Sequence, residues 1–177
     1  FGSLTLANEA IETEYLRTHI FGSEFETTVD KIGLRGEAAF TENASFLTQD
    51  FTSVRRATLF WIIGMDYTSF HQWYFNLQVG HQHIFEFDDS TLFFEQDNYS
   101  LIGTVEKDIW ANKVKGSLEY TYMMSDNSFY LSPRLIYTDI DNLELIFGLN
   151  IYDGDGDTIF GRYDQNDQVF IDLTYQF

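Results

Sequence analysis

The chain alternates apolar and polar residues through nine separate segments, and that two-residue period limits what it can fold into. The last segment is the cleanest. Val169, Ile171, Leu173, Tyr175 and Phe177 fall on one side of an extended strand; Phe170, Asp172, Thr174 and Gln176 fall on the other. Successive strand side chains point to opposite faces, so each row is a surface. Earlier apolar rows start with Phe21, Phe25, Val29 and with Ile32, Leu34, Ala38, Phe40. Leu59, Trp61, Ile63, Met65, Tyr67 and then Trp73, Phe75, Leu77, Val79 follow. The next are Tyr99, Leu101, Val105, then Val114, Leu118, Tyr120, Tyr122. Phe129, Leu131, Leu135, Tyr137 precede Leu143, Leu145, Phe147, Leu149, Ile151.

None of these rows contains Asp, Glu, Lys or Arg. The opposite rows carry Glu24, Glu26, Arg35, Glu37, Asp66, Glu106, Lys115, Glu119, Arg134, Glu144 and Asp172. They also hold Phe60, Ile62, Ile102, Ile136, Ile146 and Phe170, so they are not uniformly wet. Segregation of this kind is the mark of antiparallel strands with one apolar and one polar face.

Short turns are expected at Asp30-Lys31, Thr68 to Gln72, Lys107 to Lys113 and Thr138 to Asn142. Long polar loops are expected over 41–58, 82–98 and 153–168, with Met123 to Ser128 a short member of the same set. Short turns on one side and long loops on the other describe an antiparallel up-and-down transmembrane β-barrel. The last strand would run down to the periplasm, leaving the long loops extracellular. Tyr67, Phe70, Trp73, Trp110, Tyr137, Tyr175 and Phe177 gather near the turn ends; Phe40, Tyr120, Tyr122, Phe129 and Tyr152 gather near the loop ends. Two aromatic rings would mark two membrane interfaces. Residues 1–19 read as a loop or partial strand: Leu4 to Leu6 could end a strand, and Asn8 could cap a short helix through Ala7, Ile11 and Tyr15. The whole of 1–177 reads as one β-barrel domain.

Composition removes several alternatives. With no Cys there are no disulfides and no thiolate sites. A net charge of −18 makes nucleic acid a poor partner. No run approaches the roughly 18 apolar residues of a spanning helix. The opening Phe-Gly-Ser shows no signal peptide, so either one has been removed or the chain starts inside a longer protein.

Period two alone does not say whether the apolar face meets lipid or a protein core. A soluble β-sandwich or lipocalin-like barrel would turn the same rows inward. Against it stand the bulk of the aromatic rows, more than a small barrel interior can hold, and the unequal connections. Gly22, Gly33, Gly64, Gly80 and Gly148 in the charged rows also count against it. Nine strands is an odd number, with the first and last both running down. At least one upward strand is therefore expected before Phe21, either in the C-terminal portion of a larger barrel or in a ten-stranded one.

The terminal strand ending on Phe177 resembles the closing strand of Gram-negative outer-membrane barrels, in which this ending is read by the barrel-assembly machinery. That resemblance makes Tyr175 and Phe177 the assembly signal. Three further stretches carry a family likeness. They are Lys31-Ile-Gly-Leu-Arg-Gly-Glu-Ala-Ala-Phe40, Ile63-Gly-Met-Asp-Tyr67 with Phe75-Asn-Leu-Gln78, and Leu143-Glu-Leu with Tyr152-Asp-Gly-Asp-Gly-Asp-Thr-Ile-Phe-Gly161. Together they resemble the C-terminal half of a porin-like family of unknown function, distantly similar to alginate-export barrels. The likeness spans roughly residues 20–177. It implies an outer-membrane β-barrel longer than this chain, and it brings no catalytic residues.

Several residues are candidates for chemistry. The eleven charged residues named above would line a lumen; with acid in excess, that lumen would prefer cations. Alternatively they pair with one another across a narrow interior. Asp153, Asp155 and Asp157 stand where a calcium loop places its first three ligands, with Thr158 where that pattern wants Gly and Asp164 where it wants Glu. Loop 153–164 is thus a calcium candidate, or a solvated acidic turn. Asp88, Asp89, Glu95 and Asp97 add further acid near the same end. His71, His81 and His83 invite a lipid-hydrolase reading, but no nucleophile, base and orienting acid stand in a recognisable spacing. Arg55-Arg56 could contact lipopolysaccharide phosphates or fold into the lumen. Pro133 is expected to mark a bulge.

The reading that follows is an outer-membrane porin-like channel for passive passage of small solutes or ions, not an enzyme. Its surroundings would be outer-membrane lipid and lipopolysaccharide, with a second copy or another outer-membrane protein as a neighbour. A structural barrel anchoring a partner, without an open pore, is the alternative. A barrel lipid hydrolase is the third.

Overall fold

A computed structural model describes residues 17–111 and 113–177. These form one sheet of nine antiparallel, sequentially joined strands. In chain order they are β1 (Ile20–Val29), β2 (Ile32–Leu47), β3 (Ser53–Thr68), β4 (Trp73–Ile84) and β5 (Asp97–Trp110). β6 (Val114–Met123), β7 (Ser128–Ile140), β8 (Leu143–Asp153) and β9 (Gln168–Tyr175) complete the sheet. Most of the expected loop or partial strand over 1–19 lies outside the described residues, and 17–19 hold no regular structure.

The register settles how the alternating rows combine. Phe25 faces Gly36, which faces Ile63, then Val79, Leu101, Tyr122 and Phe129. Farther along, Tyr137 faces Leu145 and then Leu173. A slip of one residue at any seam would put an apolar row beside a polar one. Through the span of the apolar rows none does, so they merge into a single face. Aromatic rings help to pin two seams. Tyr120 lies over Gly103 and Phe170 over Gly148, each ring filling the space that a Cβ on the opposing glycine would need.

That apolar face is not packed against another layer. Phe25 is 55% exposed, Ile63 56% and Leu173 66%. A soluble sandwich would bury such side chains against each other. Here the only buried large apolar side chains among the described residues are Phe46 and Ile84, and both belong to the polar-row side. Contiguous exposed apolar surface on this scale marks a site of contact with another apolar phase or partner. At the turn end, Trp73 stacks on Phe75 at 6.0 Å and the Lys107 ammonium lies 4.5 Å from the Trp73 ring. Lys31 similarly covers Phe70 at 3.3 Å. Cations held over aromatic rings in this way keep their charge toward water while their stems cover apolar surface.

The hairpins at the turn end are tight, and left-handed residues close them: Asp30 (φ 55°), Gln72 (φ 61°) and Asn142 (φ 63°). Strand ends differ from expectation in several places. β5 runs on to Trp110 and β7 to Ile140, each across a register shift, so those turns are shorter than 107–113 and 138–142. The expected long loop 41–58 is mostly strand: β2 continues to Leu47 and β3 begins at Ser53. The ladder shifts register between Thr41 and Ala44 and then continues. Glu42, Asn43, Ser45, Ser53, Arg55 and Arg56 make this hairpin polar on both faces, which erases the period without breaking backbone pairing. Pro133 does not form a bulge. It pairs with Leu118 on β6 in register, and the β7–β8 ladder skips positions 132 and 133, where proline has no N–H to give.

β1 and β9 each pair on one side only, so the sheet is open and is not closed into a barrel among the described residues.

Candidate functional site

All eleven charged candidates lie on one face. Glu24 stands opposite Glu37 and Glu26 opposite Arg35 across β1 and β2. Asp66 (β3), Glu106 (β5), Lys115 and Glu119 (β6), Arg134 (β7), Glu144 (β8) and Asp172 (β9) follow by the same alternation. Each of the three cations among them is paired with a carboxylate on a neighbouring strand. Arg35 Nη2 lies 2.6 Å from Asp66 Oδ2, and Lys115 Nζ lies 3.4 Å from Glu106 Oε2. Arg134 grips Glu119 with both guanidinium nitrogens, Nη1 to Oε1 at 3.0 Å and Nη2 to Oε2 at 2.9 Å. This fork fixes direction as well as distance. Gly33 makes room for the first pair, since a Cβ there would lie 2.6 Å from Asp66 Oδ2. No cation pairs with Glu24, Glu26, Glu37, Glu144 or Asp172 within salt-bridge distance among the described residues. The face therefore carries both patterns the sequence allowed: local neutral pairs and an acidic remainder.

A polar network that the alternation did not single out joins the middle of this face. The Tyr130 and Ser132 hydroxyls both donate to Asn150 Oδ1, at 2.9 and 3.0 Å, and Arg134 Nε donates to Ser132 Oγ at 3.1 Å. Ser132 is fully buried. Tyr152, expected in the outer aromatic ring, lies on this polar face, 5.2 Å from the Tyr130 ring.

The loop end is roofed. The β4–β5 loop folds over the polar face and is tied to the β2–β3 hairpin by a bridge between Thr48 and Thr91. Leu92 N–H donates to Leu47 O and Gln49 N–H to Ser90 O, both at 2.8 Å. Phe94 meets Phe46 edge-on at 5.5 Å, above Ile84, which is 1% exposed, and buried Thr58. The β8–β9 loop joins the roof. Arg162 lies over the Phe93 ring at 4.2 Å, and Ile159 N–H donates to Asp126 Oδ2 at 3.4 Å. Between these loops lies a cavity of about 370 Å³. Nothing in the alternation announces it, because loop-on-sheet packing has no period.

Asp153, Asp155 and Asp157 are not brought together. Asp153 ends β8 on the apolar-row side, opposite Phe129, while Asp157 lines the cavity. The Asp155 carbonyl, rather than its carboxylate, accepts from Thr158 N–H and Oγ1. Among the described residues no three His, Cys, Asp or Glu side chains are placed to share a metal ion.

His81 Nε2 and His83 Nδ1 both meet Asp97 Oδ1 at 2.8 Å, at the upper edge of the apolar face. His81 stacks on Tyr99 at 4.3 Å and touches Trp61 edge-on. Ser125, which reaches the same corner, has its hydroxyl engaged with backbone: it accepts from Tyr99 N–H and donates to Asp97 O. That leaves it poorly placed as a nucleophile for these imidazoles. His71 lies at the opposite, turn end, just before β4. Arg56 turns to the polar-row side and donates to Glu86 O at 2.5 Å, with Asp88 3.9 Å away. Tyr175 is the last residue of β9, opposite Leu143, and exposed Phe177 lies beyond the strand.

Comparison with protein-family models, curated proteins and solved structures finds no match. The geometry is therefore the ground for any functional reading.

One loop carboxylate, Asp88, is held below the usual range. The Asp88 carboxylate accepts from the Ser90 N–H at 2.9 Å and is drawn down by that bond, by the Ser90 hydroxyl and by Arg56. A depressed folded pKa gives stabilisation that is complete above the unfolded value, about 3.9 for Asp, and is lost as pH falls through the folded value. The Ser90 amide is thus expected to be protected from hydrogen exchange at neutral pH. That protection should fall as the solution is taken below about pH 4. In Asp88→Ala it should be absent at every pH. An amide that exchanges with the same protection factor in both proteins would break this account of the loop.

Proposed function

We propose that this chain forms wall strands of an outer-membrane β-barrel whose polar face lines a passage for small solutes or ions, with a preference for cations. The observation that carries the reading is the in-register segregation of nine strands into one continuous apolar face, left exposed, and one charged face. An amphipathic sheet of this kind is stable where one side meets hydrocarbon and the other water. The Lys-over-aromatic contacts at the turn end suit an interface with headgroups. The sequence likeness to a porin-like outer-membrane family is in keeping with the same reading.

The cation preference follows from the charge pattern. Arg35, Lys115 and Arg134 are each neutralised locally, which leaves Glu24, Glu26, Glu37, Glu144 and Asp172 to set the field along the wall. In planar bilayers under a salt gradient, the expected reversal potential has the sign of cation selectivity. A current of the opposite sign would overturn the lining assignment. A barrel without an open pore, anchoring another protein, is the second reading. The roof packed over the loop end favours it, and complete absence of single-channel steps would select it.

A further inference from the structure

The apolar face is not uniform, and one groove in it has a charged rim. We propose that this groove holds one anionic phospholipid, with an acyl chain along the groove and the phosphate between Lys31 and Lys107. The inference rests on the reading that the apolar face meets hydrocarbon, and it names a lipid which that face holds in preference to others.

The groove crosses β2 to β5 and encloses about 490 Å³, within the range of small-molecule sites. Ile32, Met65, Tyr67, Phe75, Leu77 and Val105 line it. A missing side chain accounts for it. Gly103 stands opposite Leu77 in the ladder, and only the flat Tyr120 ring lies over it, which leaves a recess beside Leu77. A recess touches a hydrocarbon chain on several sides at once, so it gains more dispersion contact than a flat wall does.

The turn end of the groove carries the charge. Phe75 stacks on Trp73, and Lys107, opposite Trp73 in the ladder, holds its ammonium 4.5 Å from that ring. Lys31 adjoins Ile32 in the chain and lies 3.3 Å from the Phe70 ring centre. From Leu77 to Trp73 the strand rises about 13 Å. A chain laid along the groove therefore brings its headgroup to these two ammoniums.

The pairing of the lysines selects the charge of the headgroup. The four lysines of the chain, Lys31, Lys107, Lys113 and Lys115, all stand at this end. Lys113 pairs with Asp139 at 2.8 Å and Lys115 with Glu106 at 3.4 Å. Lys31 and Lys107 have no carboxylate within salt-bridge distance among the described residues, although Asp30 and Asp108 are their neighbours in the chain. Acids outnumber Lys and Arg 28 to 10, so two lysines resting on rings rather than on carboxylates stand out. Their charge is open to an anion from outside the chain, and a phosphate at the membrane surface supplies one. A zwitterionic headgroup brings its own cation along with the phosphate and gains less.

Native mass spectrometry of the protein released from bilayers of equal phosphatidylglycerol and phosphatidylcholine tests the site. One phosphatidylglycerol is expected to stay bound, in about tenfold excess over phosphatidylcholine. Lys31→Gln/Lys107→Gln is expected to cut that excess to about twofold or less. Lys113→Gln/Lys115→Gln makes the same change in net charge and is expected to keep the excess. Leu77→Trp fills the groove from an exposed position and is expected to lower retention about threefold. It stands as an independent arm should the lysine variants fold poorly. Equal retention of the two lipids by the unaltered protein overturns the proposal. So does equal loss in both lysine pairs, which reports net charge alone. Displacement of the lipid by inorganic phosphate at matched ionic strength also overturns it, since that reports an anion site with no use for the chain. Protein that retains phosphatidylglycerol but carries no current loses the passage reading and keeps the site. Protein that conducts without the lipid preference loses the site alone.

Discussion

Ile63→Arg is expected to destabilise the protein in phospholipid vesicles by about 2–4 kcal/mol. The side chain is more than half exposed, so nothing in the chain itself would be disrupted. Exposed positions on a water-facing sheet tolerate such a change to within about 0.5 kcal/mol. The size of the effect therefore reports what the apolar face touches. Ile63 sits between Trp61 and Tyr67 on β3, with Gly36 and Val79 beside it, which places it near the middle of the apolar band. Gln78, on the polar row of β4 next to Gly64, provides the control. Gln78→Arg is expected to leave stability nearly unchanged. Urea unfolding midpoints of the two variants, measured in vesicles, decide the matter. Equal midpoints would mean that the apolar face does not meet hydrocarbon.

The second large effect concerns charge. Replacing Glu24, Glu26 and Glu37 with Lys is expected to invert selectivity, changing the cation-to-anion permeability ratio by about tenfold or more. These residues cluster on β1 and β2, and Glu24 directly opposes Glu37. The neighbouring Arg35 stands opposite Glu26 but lies 2.6 Å from Asp66, which takes up most of its charge. Arg134→Gln should act in the opposite direction and more weakly, because it frees the Glu119 carboxylate from its two-point grip. Bi-ionic reversal potentials measure both changes. A triple variant that kept wild-type selectivity would remove these carboxylates from the conducting path.

The strands from Ile32 to Phe40 and from Leu59 to Tyr67 were legible because a chain with two different surroundings must alternate. The same rule placed Glu37, Asp66 and Arg134 on one face before any register was known. It failed beyond Thr41, where both faces of the β2–β3 hairpin are polar and the backbone ladder continues without a visible period. It failed again at Tyr152, whose phenol sits against Tyr130 rather than at the rim of the apolar face. Pairing preferences were also hidden. That Arg134 takes Glu119 rather than another acid follows from three-dimensional register, which depends on the length of the β6–β7 turn. The cavity was the least legible feature. Asp89, Asp126 and Asp157 come from three different loops, and their meeting depends on contacts such as Phe94 on Phe46 that no spacing encodes.

The tie between the β2–β3 hairpin and the β4–β5 loop bears on how the loop end of the sheet behaves in time. A loop joined only at its two ends can swing in nanoseconds to microseconds. This one is stitched by main-chain bonds to the tip of a different hairpin, with an aromatic pair clamped beneath. To move, it must break several of these bonds together, as a small cooperative unit. On the passage reading, a mouth built in this way would hold one aperture.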